Sequence, residues 1–439
     1  MNLFQQTFLP DLIQHRLPTN LPDLIQHRLP TNTLSNSKRI QRWGNFIAGF
    51  SIEFVEKCLD ELKNKNRTGV VLDPFAGCGT TLIGAKNSGF NAIGYEPHTV
   101  FFSITEAKIG HYHPEDLCEI VELLSSDFGE ADWSPDARLF LEKLFTEDNL
   151  HHISRAAYAL QKLPSELKPL GITIFLKTCE LACGSQTDGI YKAPTSRKRH
   201  IPFAGALQSV KAMISDDIES EWYQQHWLHT PQACIICESS EDMSKIDRES
   251  VAICITSPPY LNNFDYSEMT RMHLYLLGWC KNWKDISEKI RNHLITNTTT
   301  ALNGKKTPSY QTEARAGITP DLLPELDILV KSLKQERSVR PGKKEYDYLI
   351  YPYYFQISNI LRNIYEVLQP GGKLHWVVAD AALYGVYIEA QKHMAQIMKA
   401  SGFRGIKIHY LRKRGHRWIL SKRDGHENGL GEYHIEATK

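Results

Sequence analysis

Two short stretches carry side chains suited to chemistry. Residues 256–260, Thr-Ser-Pro-Pro-Tyr, follow the apolar run Val-Ala-Ile-Cys-Ile. Proline has no N–H for a ladder hydrogen bond, so the pair ends the strand. Four groups are then gathered at one strand end: the Ser257 hydroxyl, the Pro258 carbonyl, the stiff Pro259 ring and the Tyr260 ring. A bare Pro-Pro-Tyr is also an ordinary rigid turn, so its reading depends on a second stretch upstream.

That stretch, residues 73–81, reads Asp-Pro-Phe-Ala-Gly-Cys-Gly-Thr-Thr between an apolar strand and a helix. Glycine at 77 and 79 permits backbone angles closed to other residues and lets a ligand approach the main chain. The following helix start offers unpaired N–H groups. Asp73, Pro74, Phe75, Ala76, Gly77, Gly79, Thr80 and Thr81 are therefore candidate binding residues. No lysine follows the last glycine, so this is not a Walker loop, and a full G-x-G-x-x-G is absent. Glu96 ends the next strand, where a carboxylate takes both hydroxyls of a ribose. Glu238 holds the comparable place after Ala-Cys-Ile-Ile-Cys, with Asp242 competing for an adenine or ribose edge.

These residues need a scaffold. Residues 51–66 have helical spacing with a serine start signal, and "GVVLDPFAG", "TTLIGAKNSG" and "NAIGYE" then read strand, helix, strand. This is the opening of a doubly wound parallel sheet. Residues 111–230 read as a mainly helical insertion. The sheet resumes with "ACIICES" and "VAICITSPPY"; residues 280–345 are polar and strand-poor. A helix with a glycine stop, a strand, a helix and two closing strands without a helix between them follow, which fits an antiparallel edge hairpin. Residues 9–20 and 21–32 repeat the same twelve letters and carry no chemistry.

With 439 residues, 42% hydrophobic and 23% charged, the composition is that of a globular protein. No run is long and apolar enough to cross a bilayer, and the start lacks a signal-peptide pattern, so the expected compartment is the cytoplasm. Net charge is +1, yet residues 196–200, 331–344 and 409–423 are basic. Such runs contact phosphates or form a solvated face. Nine cysteines, dispersed, give no disulfide framework, and Cys234 and Cys237 read as core residues rather than metal ligands.

The glycine turn with "GFNAIGYEP", the "TSPPY" motif and the closing segments "VLQPGGKLHWVVADA" and "GEYHIEATK" resemble the amino-methylating DNA methyltransferases, enzymes of cytosine N4 or adenine N6. One departure is Gly-Cys-Gly where that family commonly has Gly-Ser-Gly. The resemblance implies a Rossmann-like class I methyltransferase sheet, S-adenosyl-L-methionine as cofactor, and Ser257, Pro258, Pro259 and Tyr260 as catalytic residues. It also implies an aromatic at Phe46 or Phe50 against the methionine part, with ordinary core packing as the competing reading. An exocyclic amine is a poor nucleophile. Ser257 and the Pro258 carbonyl would accept its hydrogens as charge develops, and Tyr260 would stack on the flipped base. Ring-carbon methylation needs a cysteine nucleophile, usually after proline, and the chain has no Pro-Cys pair.

The expected function is N4-cytosine methylation of a specific duplex sequence in a restriction–modification or phage-defence system, with any cleaving endonuclease a separate chain. Adenine-N6 or RNA base methylation, and a cofactor-binding nucleic-acid-binding protein without turnover, stay as alternatives. The organisation reads 1–39 extension, 40–110 cofactor part, 111–230 insertion, 231–279 catalytic part, 280–345 candidate target recognition and 346–439 C-terminal part. Double-stranded DNA would be gripped by Arg197, Lys198, Arg199, Arg340, Lys343 and Lys344, while Asp265, Tyr266 and Arg271 either reach the base or serve structure.

Overall fold

Short apolar runs become the strands of a buried sheet. The computed structural model describes residues 38–44, 49–64, 69–188, 191–197, 200–262, 264–340, 344–414 and 430–439. The strands are β1 (Val70–Asp73), β2 (Ala92–Tyr95), β3 (Ala233–Ile236), β4 (Val251–Thr256), β5 (Leu368–Ala379), β6 (Arg404–Lys413) and β7 (Gly431–Thr438). Their order is β6-β7-β5-β4-β1-β2-β3. β1 with β2, β2 with β3, and β4 with β5 run parallel; β7 is antiparallel to both β5 and β6. This is the doubly wound order 3-2-1-4-5-6 with a hairpin strand inserted before the last position. The expected Rossmann-like α/β fold with an antiparallel C-terminal hairpin is what the chain adopts.

The described residues divide into two compact units. One contains residues 38–240 and 264–303, with β1 to β3; the other contains residues 241–262 and 304–439, with β4 to β7. In the first, Ser51 starts the helix Ile52–Asn64 by accepting the Phe54 N–H at 3.3 Å. Gly84 in the helix Thr80–Asn87 lets that helix press onto Val55, where a Cβ would come within 2.7 Å. Helices at 114–124, 135–141, 147–160, 168–182 and 203–218 follow, together with an unexpected antiparallel pair, Ser185–Asp188 with Tyr191–Arg197. In the second unit, all six residues of β4 are buried. Parallel strands are covered on both faces, which is why this one reads as a continuous apolar run.

Three expectations need correction. Residues 280–345 hold no strand among the described residues, in keeping with their composition, but are not poor in regular structure: they form helices Trp283–Lys289, Pro308–Ala316 and Leu323–Val339. Pro308 and Pro324 sit in first turns, where a missing N–H costs nothing, and Thr307 caps the Tyr310 N–H. Cys234 and Cys237 are exposed rather than core, because β3 is the sheet's edge. The stretch 262–279 after the Ser-Pro-Pro-Tyr motif, which reads from the sequence as one helix leading from the site, forms two short helices, Tyr266–Met269 and Arg271–Leu276. Thr270 stands between them, its hydroxyl donating back to the Tyr266 carbonyl at 2.9 Å.

Candidate active site

In the first unit, β1 delivers Asp73 to the sheet's carboxyl edge, 2% exposed. Its Oδ1 accepts the Phe75 N–H at 3.0 Å and its Oδ2 accepts the Thr81 hydroxyl at 2.6 Å. The carboxylate thereby clamps both ends of the turn. Gly77 has φ +52 and Gly79 φ +83, the left-handed region that glycine tolerates. They differ in surroundings. A Cβ on Gly79 would lie 2.8 Å from the Thr105 methyl, whereas one on Gly77 would meet nothing within 4 Å. Gly79 is required by packing, and Gly77 opens a space beside the backbone.

The turn's carbonyls are held from behind. Thr105 donates to the Gly77 carbonyl at 2.7 Å, and the fully buried Lys108 donates to the carbonyls of Cys78 at 3.0 Å and Gly44 at 2.5 Å. Burial lowers the Lys108 amine to about 8 and raises the Cys78 thiol to about 11. Glu96 follows β2 and is 8% exposed. Its two carboxylate oxygens accept the Gly77 N–H at 3.0 Å and the His98 N–H at 2.8 Å. Burial pushes its acid up to about 8, against the pull of those two N–H groups. Glu96 and the open face of Gly77 are thus neighbours, one carboxylate linking the strand end to the turn. His98 Nδ1 accepts the Val100 N–H, so Nε2 carries the hydrogen toward the Thr270 hydroxyl at 2.8 Å; burial holds this ring neutral, near 3.

In the second unit, β4 is buried through Thr256, and Ser257, Pro259 and Tyr260 are then partly exposed while Pro258 is buried. The Ser257 hydroxyl donates to the Tyr260 oxygen at 3.2 Å, and the Tyr260 hydroxyl donates to Glu432 Oε1 at 3.1 Å. Glu432 Oε2 accepts Arg412 Nε at 2.6 Å. The Arg414 guanidinium lies 5.0 Å from the Tyr260 ring centre. Burial near Glu432 holds the Tyr260 phenol well above its usual range. Tyr353, fully buried, donates to the Pro259 carbonyl at 3.0 Å and fixes the motif from the helix Ile350–Val367. Glu432, Arg412, Arg414 and Tyr353 escape sequence reasoning. The two arginines and Glu432 stand on or just past the closing strands, and Tyr353 lies in an aromatic run that reads as core.

The other candidate residues fall as follows. Phe50 is buried and packs on Phe54, ring centres 5.3 Å apart; Phe46 lies outside the described residues. Glu238 is exposed, just past β3. Asp242 accepts the Ser244 N–H at 2.9 Å in a local turn. Lys198, Arg199 and Lys343 lie outside the described residues, as does the Arg197 side chain. Arg340 pairs with Glu336 at 2.8 Å, and Lys344 is exposed. Asp265 and Arg291 form a buried pair, 6% and 4% exposed, and Thr300 also donates to Asp265. The Arg271 guanidinium lies over Phe140 at 4.1 Å, with Tyr275 and Trp283 also against it. Asp265 and Arg271 are both engaged by neighbouring side chains of the fold.

A family described as DNA methylase matches residues 24–107, which contain the glycine turn and Glu96. The Type II methyltransferase M.AvaI of Nostoc sp. (strain PCC 7120 / SAG 25.82 / UTEX 2576) is 22% identical over 401 residues, covering 85% of this chain and 81% of its own. An M.AvaI from Anabaena variabilis matches to the same extent. The Type II methyltransferase M.BsoBI of Geobacillus stearothermophilus is 24% identical over 431 residues, covering 87% of this chain and 82% of its own. The chain is thus similar to DNA methylases over residues 24–107 and to Type II methyltransferases over most of its length.

Proposed function

We propose that this chain is a Type II DNA methyltransferase that moves a methyl group from S-adenosyl-L-methionine to the exocyclic N4 amine of a flipped cytosine in duplex DNA. One observation carries the acceptor side: a wholly buried strand, Val251–Thr256, emerges into a partly exposed serine hydroxyl followed by two prolines. A buried strand ending in an acceptor pair suits a planar ligand presenting an NH₂ group.

The cofactor fits the turn. Gly77 leaves open the space that a Cβ would fill, and Glu96 stands beside it as a two-oxygen acceptor for ribose hydroxyls. Asp73, Thr81 and Lys108 hold the turn that receives it. When bound, S-adenosyl-L-methionine supplies an electrophilic methyl on a sulfonium. The chain's own groups do the rest. Ser257 and the Pro258 carbonyl accept the amine hydrogens and favour the pyramidal nitrogen whose lone pair forms the new C–N bond as the C–S bond breaks. The nitrogen then sheds one proton to solvent. Tyr260 offers a ring to the extruded base. A serine rather than an acid at the head of the motif favours cytosine.

The partner is double-stranded DNA. No described helix is long and apolar enough to cross a membrane. A cognate endonuclease, if the system has one, is a separate chain. The test incubates the protein with duplex DNA and labelled cofactor, digests to nucleosides and weighs the product. N4-methylcytosine is expected, and Ser257→Ala is expected to bind cofactor but lose transfer. N6-methyladenine would replace the base assignment, and absence of any methylated nucleoside would overturn the enzyme.

A further inference from the structure

A serine at the head of the motif raises a problem of hydrogen placement. The hydroxyl has one hydrogen and two lone pairs, and only the lone pairs help an amine whose own hydrogens need acceptors. If the Ser257 hydrogen points at the amine, the contact repels. The fold assigns that hydrogen. A carboxylate only accepts, so in the 3.1 Å contact with Glu432 the Tyr260 hydroxyl must donate. The phenol has a single hydrogen, now spent, so in the 3.2 Å contact with Ser257 the phenol oxygen must accept. Ser257 is therefore the donor, and its lone pairs face elsewhere.

The end of this chain is firmly held. Glu432 is 5% exposed, and its other oxygen takes Arg412 Nε at 2.6 Å from the neighbouring strand, where the two residues are register partners. One residue earlier, the Gly431 N–H donates to Asp380 Oδ1 at 2.6 Å, which anchors the start of β7. Arg414 lies over the Tyr260 ring and restrains it. We propose that Glu432 is a positioning residue: through the Tyr260 hydroxyl it orients the Ser257 hydrogen away from the substrate and makes Ser257 a pure acceptor for the target amine. The proposal rests on the methyltransferase reading above and adds a second duty to Tyr260, hydroxyl as well as ring.

The experiment is a double-mutant cycle on the full chain with duplex DNA and labelled S-adenosyl-L-methionine, using Tyr260→Phe, Glu432→Gln and both together. Tyr260→Phe keeps the ring that would stack on a base and removes only the hydroxyl. Each single variant is expected to lower kcat by about 10- to 100-fold, the usual loss from a misaligned catalytic group, with KM for DNA within about twofold of the parent. The double variant is expected to be no slower than the slower single, because both cut one chain. Parent-like kcat in Tyr260→Phe would overturn the proposal, as would losses that multiply, or a loss confined to KM. Cofactor affinity and a melting curve are measured for each variant; should Glu432→Gln not fold, Tyr260→Phe alone decides. An unmutated protein that transfers no methyl would instead reject the function, so the two failures are distinguishable.

Discussion

With Glu96 in the proposed cofactor role, the fold's stability and its cofactor affinity depend on pH in opposite senses. Its acid is raised from 4.5 to about 8, chiefly by burial. A raised acid binds its proton more tightly folded than unfolded. The stability it contributes is full below pH 4.5 and is lost as pH climbs toward about 8. Other buried groups leave a clear window. His98 and His375 are lowered from 6.5 to about 3, so their contribution changes only below pH 6.5. Lys86 and Lys108 are lowered from 10.5 to about 8, so theirs changes only above pH 8. Between pH 6.5 and 8 the Glu96 contribution, at about 1.4 kcal/mol per pH unit, amounts to about 2 kcal/mol. Urea unfolding at pH 6.5 and 8 should show a loss larger by that amount in the parent than in Glu96→Gln, which lacks the titrating carboxyl at this position. Ligand binding should run the other way, since an ionised carboxylate is the better acceptor for ribose hydroxyls. Calorimetric titration with S-adenosyl-L-methionine should tighten over the same window by up to about 30-fold, the same free energy expressed as a ratio. Equal pH slopes in parent and variant would refute the reasoning, because the burial of Glu96 would then have no energetic consequence.

The two glycines of the turn should separate fold from binding. Gly79→Ala places a methyl 2.8 Å from Thr105 at φ +83 and should cost about 1–3 kcal/mol in urea unfolding. Gly77→Ala meets nothing and should lose only about 1 kcal/mol to its φ of +52 while weakening cofactor binding at least tenfold by calorimetry. Arg291→Ala leaves Asp265 buried without its guanidinium partner and should destabilise the protein by about 3–5 kcal/mol, read as a fall in melting temperature.

What was legible in the sequence is what is decided locally. The glycine turn, the Ser51 helix start and the apolar parallel strands depend on neighbours a few residues away. Cys234 and Cys237 were misread because exposure depends on which strand becomes the edge, a property of the whole sheet. The helices in 280–345 were missed because Thr307-Pro308 and Leu323-Pro324 look like breaks until proline is read as a first-turn residue. Glu432 was invisible for a deeper reason. It meets Tyr260 across 172 positions of chain, and the meeting is set by strand register, Glu432 opposite Ala379.

That long-range contact explains why a serine-headed motif needs more support than its four letters contain. A carboxylate at the head has only lone pairs, so nothing has to be aimed. A hydroxyl has a hydrogen that must be sent somewhere, and water near the site would leave its direction unsettled. Here the hydrogen is taken by Tyr260, whose own hydrogen is taken by Glu432, whose charge is met by Arg412. Each link is fixed because the next has no freedom to reverse: the guanidinium cannot accept and the carboxylate cannot donate. The closing hairpin therefore does more than finish the sheet. β6 and β7 bring in the two groups of fixed polarity that give Ser257 a direction.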